Sequence, residues 1–119
     1  MDRLKNEDIA ALVLYFLETG KKPVSFGGKE VIYEEDRPAE IDGRRIHYYK
    51  GMFEFVEDTD IISKEDTRLK YNIDRRALFI GKKPFYYDKY GKMISAGDSS
   101  IQYDENEELF SIGNNAVHF

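Results

Sequence analysis

Apolar residues recur every sixteen positions through residues 39–119, and that period restricts the chain to a serial array of small, similar units. Sixteen-residue steps from Phe55 fall on Tyr71, Tyr87, Tyr103 and Phe119, all aromatic. Two residues earlier stand Phe53, Leu69, Phe85, Ile101 and Val117, all apolar. A third column, Ile46, Ile62, Leu78, Ile94 and Phe110, is apolar throughout, and Gly81, Gly97 and Gly113 share a fourth. The recurrence lies in residue class more than in identity. Its alternative is a chance alignment of apolar residues in an ordinary β protein.

Within a unit, the apolar and aromatic columns are two residues apart, the spacing at which strand side chains share a face. Leu69, Tyr71 and Ile73 alternate with Arg68, Lys70 and Asn72, and Ile101 and Tyr103 alternate with Ser100, Gln102 and Asp104. This is the pattern of an antiparallel sheet with one buried and one wet face. Between the apolar runs fall Asp42-Gly43, Lys50-Gly51, Glu57-Asp58-Thr59, Lys64-Glu65-Asp66, Asp74-Arg75, Gly81-Lys82-Lys83, Lys89-Tyr90-Gly91, Gly97-Asp98, Asp104-Glu105-Asn106 and Asn114-Asn115. Gly, Asn and Asp dominate because tight hairpins need positive φ or a side chain that caps the turn. The unit is therefore one hairpin, and the hairpins follow one another as a meander.

A single helix precedes the hairpins, over residues 4–19. Asn6 is its expected N-cap, Glu7 and Asp8 occupy the first turn, Gly20 ends it and Pro23 prevents its resumption. Ile9, Leu12, Val13, Phe16 and Leu17 make the main apolar face, yet Ala11, Leu14 and Tyr15 on the other side are not polar either. A helix apolar nearly all round is covered on more than one side, either by a sheet that wraps it or by a second chain. Residues 24–34 read as a further hairpin about Gly27-Gly28, and Glu34 to Pro38 as a polar break before the periodic region. The expected fold is one domain spanning 1–119, mainly β with one N-terminal helix (α+β). In it a meander of short antiparallel strands curls around the helix as an open or partly closed barrel.

The 119 residues carry a net charge of −5 and no cysteine. The acidity disfavours a sequence-independent grip on nucleic acid. The missing thiols exclude disulfides, thiolate metal sites and a cysteine nucleophile, and favour a reducing, cytoplasmic setting. The longest apolar run, Ile9 to Leu17, is too short to span a bilayer, and no cleavable leader is expected.

No catalytic constellation is visible. Gly27-Gly28-Lys29 lacks the earlier glycine and the following Ser or Thr of a phosphate loop. His47 and His118 stand far apart, and the acidic run Asp104 to Glu108 has Leu109 where a calcium loop needs glycine. Neither cofactor nor metal is expected. The unusual feature is nine Tyr and eight Phe without Trp. Tyr49, Tyr86 and Tyr90 fall out of phase with the buried columns, and His47 is opposite in phase to Ile46 and Tyr48. These four are the candidate binding residues.

Phe85-Tyr86-Tyr87-Asp88-Lys89-Tyr90-Gly91-Lys92-Met93 resembles the hairpin signature of YD-type repeats, and Tyr103-Asp104 recurs one unit later, with Glu107 in place of the glycine. The resemblance covers two hairpins and implies a turn, with no function attached.

Two functions follow from the surplus aromatics. One is a non-enzymatic interaction module, of the small-inhibitor or immunity-protein kind, that binds another protein through a tyrosine-rich sheet face. The other is a small-ligand-binding barrel with an aromatic interior. Self-association as a dimer is expected on two grounds, the apolar back of the helix at Leu14 and Tyr15 and the unguarded edge strand Ala116 to Phe119.

Overall fold

The computed structural model describes residues 3–61 and 63–119. The chain begins with helix α1 (Asn6–Thr19). Twelve strands follow: β1 (Ser25–Phe26), β2 (Lys29–Glu34), β3 (Arg37–Ile41), β4 (Arg44–Tyr49), β5 (Met52–Glu57), β6 (Leu69–Tyr71), β7 (Ala77–Ile80), β8 (Lys83–Tyr87), β9 (Met93–Ala96), β10 (Ser99–Tyr103), β11 (Leu109–Ile112) and β12 (Asn115–His118). All are antiparallel, and each strand pairs with the next except β5 with β6. In addition β12 pairs with β1, which places Val117 opposite Phe26. The sheet therefore closes except at one seam, between β5 and β6, where the bridge Phe55–Arg68 and a short 3-10 turn, Lys64–Thr67, stand. The expected meander curled around a helix is the fold observed, as a nearly closed barrel.

The helix fills the barrel. Ile9, Ala10, Ala11, Leu12, Val13 and Phe16 are buried, and around them close Phe26, Val31, Ile41, Ile46, Phe53, Val56, Leu69, Ile80, Phe85, Ile101, Ile112 and Val117. The column Phe53, Leu69, Phe85, Ile101, Val117 is thus core, as its spacing predicts. Leu14 and Tyr15 are half-buried and pack on that core. The edge premise of a dimer therefore fails, because β12 is paired on both sides, and the helix back at Leu14 and Tyr15 is partly covered by the chain's own core.

The hairpins turn in two ways. At one end of the barrel, Gly81, Gly97 and Gly113 have φ near +60° and open two-residue turns of one kind, joining β7–β8, β9–β10 and β11–β12. At the other end, Asn72, Asp88 and Asp104 each accept two backbone N–H groups through Oδ1, from the residues two and four ahead. The left-handed residue of each such loop is Arg75, Gly91 or Glu107, sixteen apart.

Several expectations need correction. Lys5, not Asn6, is the N-cap of α1, and the Asn6 amide donates to Asp58 at 2.7 Å. Glu34 to Pro38 is no loop, because Glu35 and Asp36 both adopt positive φ and form a tight turn, so the meander extends back through β2 and β3. Lys64-Glu65-Asp66 lies in the 3-10 turn instead of a hairpin turn. The column Ile46, Ile62, Leu78, Ile94, Phe110 is not one face: Ile46 is core, Ile62 lies outside the described residues, and Ile94 and Phe110 are exposed. Phe55 also leaves the core and stacks on His47.

One cause explains the last two of these exceptions. A β-bulge sits in every two-strand unit, just before Tyr33, Tyr48, Tyr71, Tyr87 and Tyr103. The bulge inserts one residue into the facing strand, so that strand points its first and fourth residues inward. Ala77 and Ile80 are buried accordingly, as are Leu109 and Ile112. Leu78, Ile94 and Phe110 are the inserted residues.

Candidate functional site

Tyrosine side chains organise one end of the barrel. Tyr33, Tyr48, Tyr87 and Tyr103 each donate their hydroxyl to the carbonyl ten residues back, on Pro23, Pro38, Ala77 and Met93. Tyr71 does the same across the seam, to Phe53. In each case from Tyr48 onward, the acceptor is the residue that pairs with the preceding tyrosine of the set. These side chains are half-buried, and burial pushes the hydroxyls of Tyr33, Tyr71 and Tyr103 up to about 12, so they stay protonated donors. The sixth place in the ring belongs to Phe119, which has no hydroxyl. There Tyr15 of α1 packs edge-on against Phe119, and its oxygen accepts the Leu109 N–H at 3.2 Å.

Four of the five tyrosine rings also carry a cation from the residue just before the acceptor carbonyl. Lys22 stands 5.5 Å from the Tyr33 centroid, Arg37 3.9 Å from Tyr48, Arg76 4.5 Å from Tyr87 and Lys92 4.5 Å from Tyr103. Beside the last three rings of the set, at the C-terminal end of α1, a groove of about 710 Å³ opens. Leu14, Phe53, Ile101 and Leu109 line its floor, and Met52, Tyr71, Arg76, Tyr90 and Lys92 its mouth.

The outer wall carries a different feature. On β7, β9 and β11 the inserted bulge residues Leu78, Ile94 and Phe110 recur two strands apart, and Tyr86 of β8 lies between the first two. Tyr86 is 54% exposed, Ile94 46% and Phe110 58%, with Phe79 beside them at 40%. In the other half of the barrel the inserted positions hold Ala39, which is buried, and Glu54. The apolar stripe is therefore confined to β7–β11.

The candidate residues Tyr49, Tyr86, Tyr90 and His47 do not form one site. Tyr86 belongs to the stripe, while Tyr90, 82% exposed, sits at the groove mouth. Tyr49 and His47 lie on β4, four strands from β8 across the seam. His47 stacks on Phe55 at 4.3 Å and meets Glu57 at 2.6 Å, an arrangement complete in itself. None of the four faces an enclosed interior, since the helix occupies it. Phe79, Ile94 and Phe110 were not singled out from the sequence, because a strict two-residue alternation assigns Ile94 and Phe110 inward. The apolar pairs Met93/Ala96 and Leu109/Ile112, three apart, are the signal that marks the bulge.

At the opposite end the polar groups are structural. The Asp58 side chain is buried and accepts from Arg3, Asn6 and the Asp60 N–H. Burial acts to raise its pKa, but these donors outweigh it and hold the carboxyl at about 2. Arg44, buried, donates to Asp42 at 2.7 Å and to Asn6 at 2.9 Å, and Asp42 also takes the Leu4 N–H. This network fastens the helix start to the seam and to the β3–β4 turn. Among the described residues, no group of three or more His, Asp or Glu is placed to hold a metal ion, and no helix is long and apolar enough to cross a membrane. No protein-family model, curated protein or solved structure matches the chain.

Proposed function

We propose that this protein is a non-enzymatic interaction module that binds another protein through the outer wall of β7–β11. The observation that carries this reading is the stripe of Tyr86, Ile94, Phe110 and Phe79, large side chains held outward, with Ile94 and Phe110 at inserted bulge positions. Large apolar side chains exposed together on one wall mark interaction sites on soluble domains. Tyr and Phe there supply rigid contact area at small entropic cost. Residues 64–92 carry nine Lys or Arg against four Asp or Glu in a chain of net charge −5, so the stripe lies beside a basic sector. An acidic partner surface would be steered onto it. The small-inhibitor or immunity-protein form of this function, in the cytoplasm, rests on size, acidity, lack of cysteine and this face.

Site-specific photo-crosslinking tests it. A photoreactive side chain at position 94 should join the chain to a defined partner in native lysate, whereas the same group at position 49 should not. Phe110→Ser should abolish the position-94 product. Equal products from both positions, or none from 94, would overturn the reading.

A second function is supported by the groove, whose volume suits a small ligand. The groove lies at one end of the barrel beside the helix C-terminus, lined by the inward-facing Phe53, Ile101, Leu109 and Ile112.

A further inference from the structure

The repeat is broken at Tyr71, and it is broken where the groove opens. At Tyr33, Tyr48, Tyr87 and Tyr103 the residue before the acceptor carbonyl is Lys22, Arg37, Arg76 or Lys92, and its cation stands over the ring. At Tyr71 the acceptor is Phe53, and the residue before it is Met52. The chain thus supplies a cation to four equivalent rings and omits it at the fifth. Gly51, Met52, Phe53 and Tyr71 are all lining residues of the groove. We infer that the groove beside Tyr71 accepts an ammonium or guanidinium group from another molecule, which takes the place that the chain's own cation fills in the other units.

Three considerations support this. First, the Tyr71 ring is pre-positioned, since its hydroxyl is held by the Phe53 carbonyl and the ring cannot turn away without losing that bond. An aromatic face fixed in this way is a ready cation receptor, worth most when partly desolvated. Second, the electrostatics favour positive charge. The rim holds three acids, Glu18, Asp74 and Glu107, and three bases, Arg75, Arg76 and Lys92. Arg76 and Lys92 are already committed to Tyr87 and Tyr103, and Lys92 also pairs with Glu107 at 2.8 Å. With side-chain charges balanced, the negative end of α1, which finishes at Thr19 beside the groove, sets the sign. Third, the floor of Leu14, Phe53, Ile101 and Leu109 gives an apolar body somewhere to rest behind the charged head. The ligand class is therefore an organic cation with an apolar or aliphatic body. That chemistry is shared by a free quaternary amine and by an arginine side chain of a peptide. This site is separate from the outer stripe, and neither depends on the other.

The test follows backbone amide shifts of Met52, Tyr71 and Asp74 by NMR in the full chain. One arm titrates choline against its neutral isostere 3,3-dimethylbutan-1-ol. The other titrates a blocked arginine tripeptide against its citrulline counterpart. The expected result is saturable shifts at these amides for one cation and at least about tenfold weaker binding of its neutral match, the discrimination that a desolvated cation–π contact supplies. The arm that responds identifies the source. Met52→Lys restores the residue type found at the four sister positions, so it should fold and should remove binding by filling the place from within. Tyr71→Phe keeps the ring and should retain binding, whereas Tyr71→Leu should lose it. Equal binding of neutral and charged forms, no saturable shift for either cation, or a Met52→Lys variant with unaltered affinity would each overturn the inference.

Discussion

The Tyr103 hydroxyl donates to the backbone carbonyl of Met93 at 2.7 Å, ten residues earlier in the chain. Met93 is itself the partner of Tyr87 in the β8–β9 pairing, so the bond stitches one hairpin to the one before it. The same stitch made by Tyr48, Tyr71 and Tyr87 links successive hairpins into a series that is open only where Phe119 stands. Short strands of two to six residues give each ladder few hydrogen bonds, and the tyrosines add a connection independent of them.

Removing one stitch should therefore cost more than a surface change. Tyr87→Phe leaves the Ala77 carbonyl without its donor and is expected to lower stability by about 1 kcal/mol, the worth of a partly buried hydrogen bond. Tyr87→Ala also removes a ring packed on the core and should cost about 3 kcal/mol. Chemical denaturation of both variants checks this. A Phe variant within about 0.3 kcal/mol of wild type would show that the stitch carries no stability.

Gly81 and Gly51 both have positive φ, but only one is crowded. A Cβ at Gly81 would meet the Asp66 backbone oxygen at 2.2 Å, whereas nothing lies within 4 Å of one at Gly51. Gly51→Ala should cost about 1 kcal/mol from backbone strain alone. Gly81→Ala should cost at least about twice that, because the 3-10 turn must shift as well. Thermal melts of the two variants, run side by side, give the comparison.

The architecture was legible in the sequence to the extent that it depends on side-chain type at fixed spacing. The Leu69 and Ile101 column marks the core face, and Gly81, Gly97 and Gly113 mark one turn type. The site was less legible, because it depends on where that spacing slips by one. The bulges send Ile94 and Phe110 to the outer wall, and a strict alternation cannot show it. The tyrosine ring was half visible. Tyr71, Tyr87 and Tyr103 keep the sixteen-residue step, but the fifteen-residue spacing of Tyr33 to Tyr48 and the extra residues at the seam hide the earlier members. Nor does sequence spacing reveal that β12 pairs with β1, a contact between segments about ninety residues apart.

Asp8 should make stability rise as pH falls toward 4. It is 2% exposed, and burial pushes its pKa up to about 6, with nearby Glu7 adding to the shift and Ser99 and Lys5 opposing it. A carboxyl whose folded pKa exceeds its unfolded value stabilises the fold fully below the unfolded value, near 3.9, and loses that contribution as pH rises through the folded one. Asp8→Asn, which keeps the shape without the charge, should therefore stabilise the protein at pH 7 by up to about 3 kcal/mol and give little gain at pH 4. Asp58 works in the opposite sense at lower pH, with its contribution present above pH 4 and lost toward about 2. Urea midpoints for wild type and Asp8→Asn across pH 4 to 7 separate the two groups. A variant advantage that does not change over that range would refute the assignment to Asp8.

The closing strand is the point at which the barrel is most exposed to failure. Residues 115–118 pair on one side with β11 and on the other with β1, where Val24 donates to His118 at 2.7 Å and Gly27 to Ala116 at 2.9 Å. With β12 in place, no ladder edge among the described residues is free except at the seam, and there Arg68 pairs with Glu54 at 3.2 Å while Tyr71 spans to Phe53. The intact chain should therefore run at 13.9 kDa in size exclusion with light scattering across a dilution series. Deleting residues 115–119 leaves β1 and β11 as bare, unguarded edges and uncovers Phe26, which Val117 faces. Such edges pair with copies of themselves. The truncated chain should melt at a lower temperature and shift to higher mass with concentration. A full-length chain that doubles its mass at high concentration, and loses that doubling on Phe110→Ser, would instead identify the outer stripe as a self-association surface.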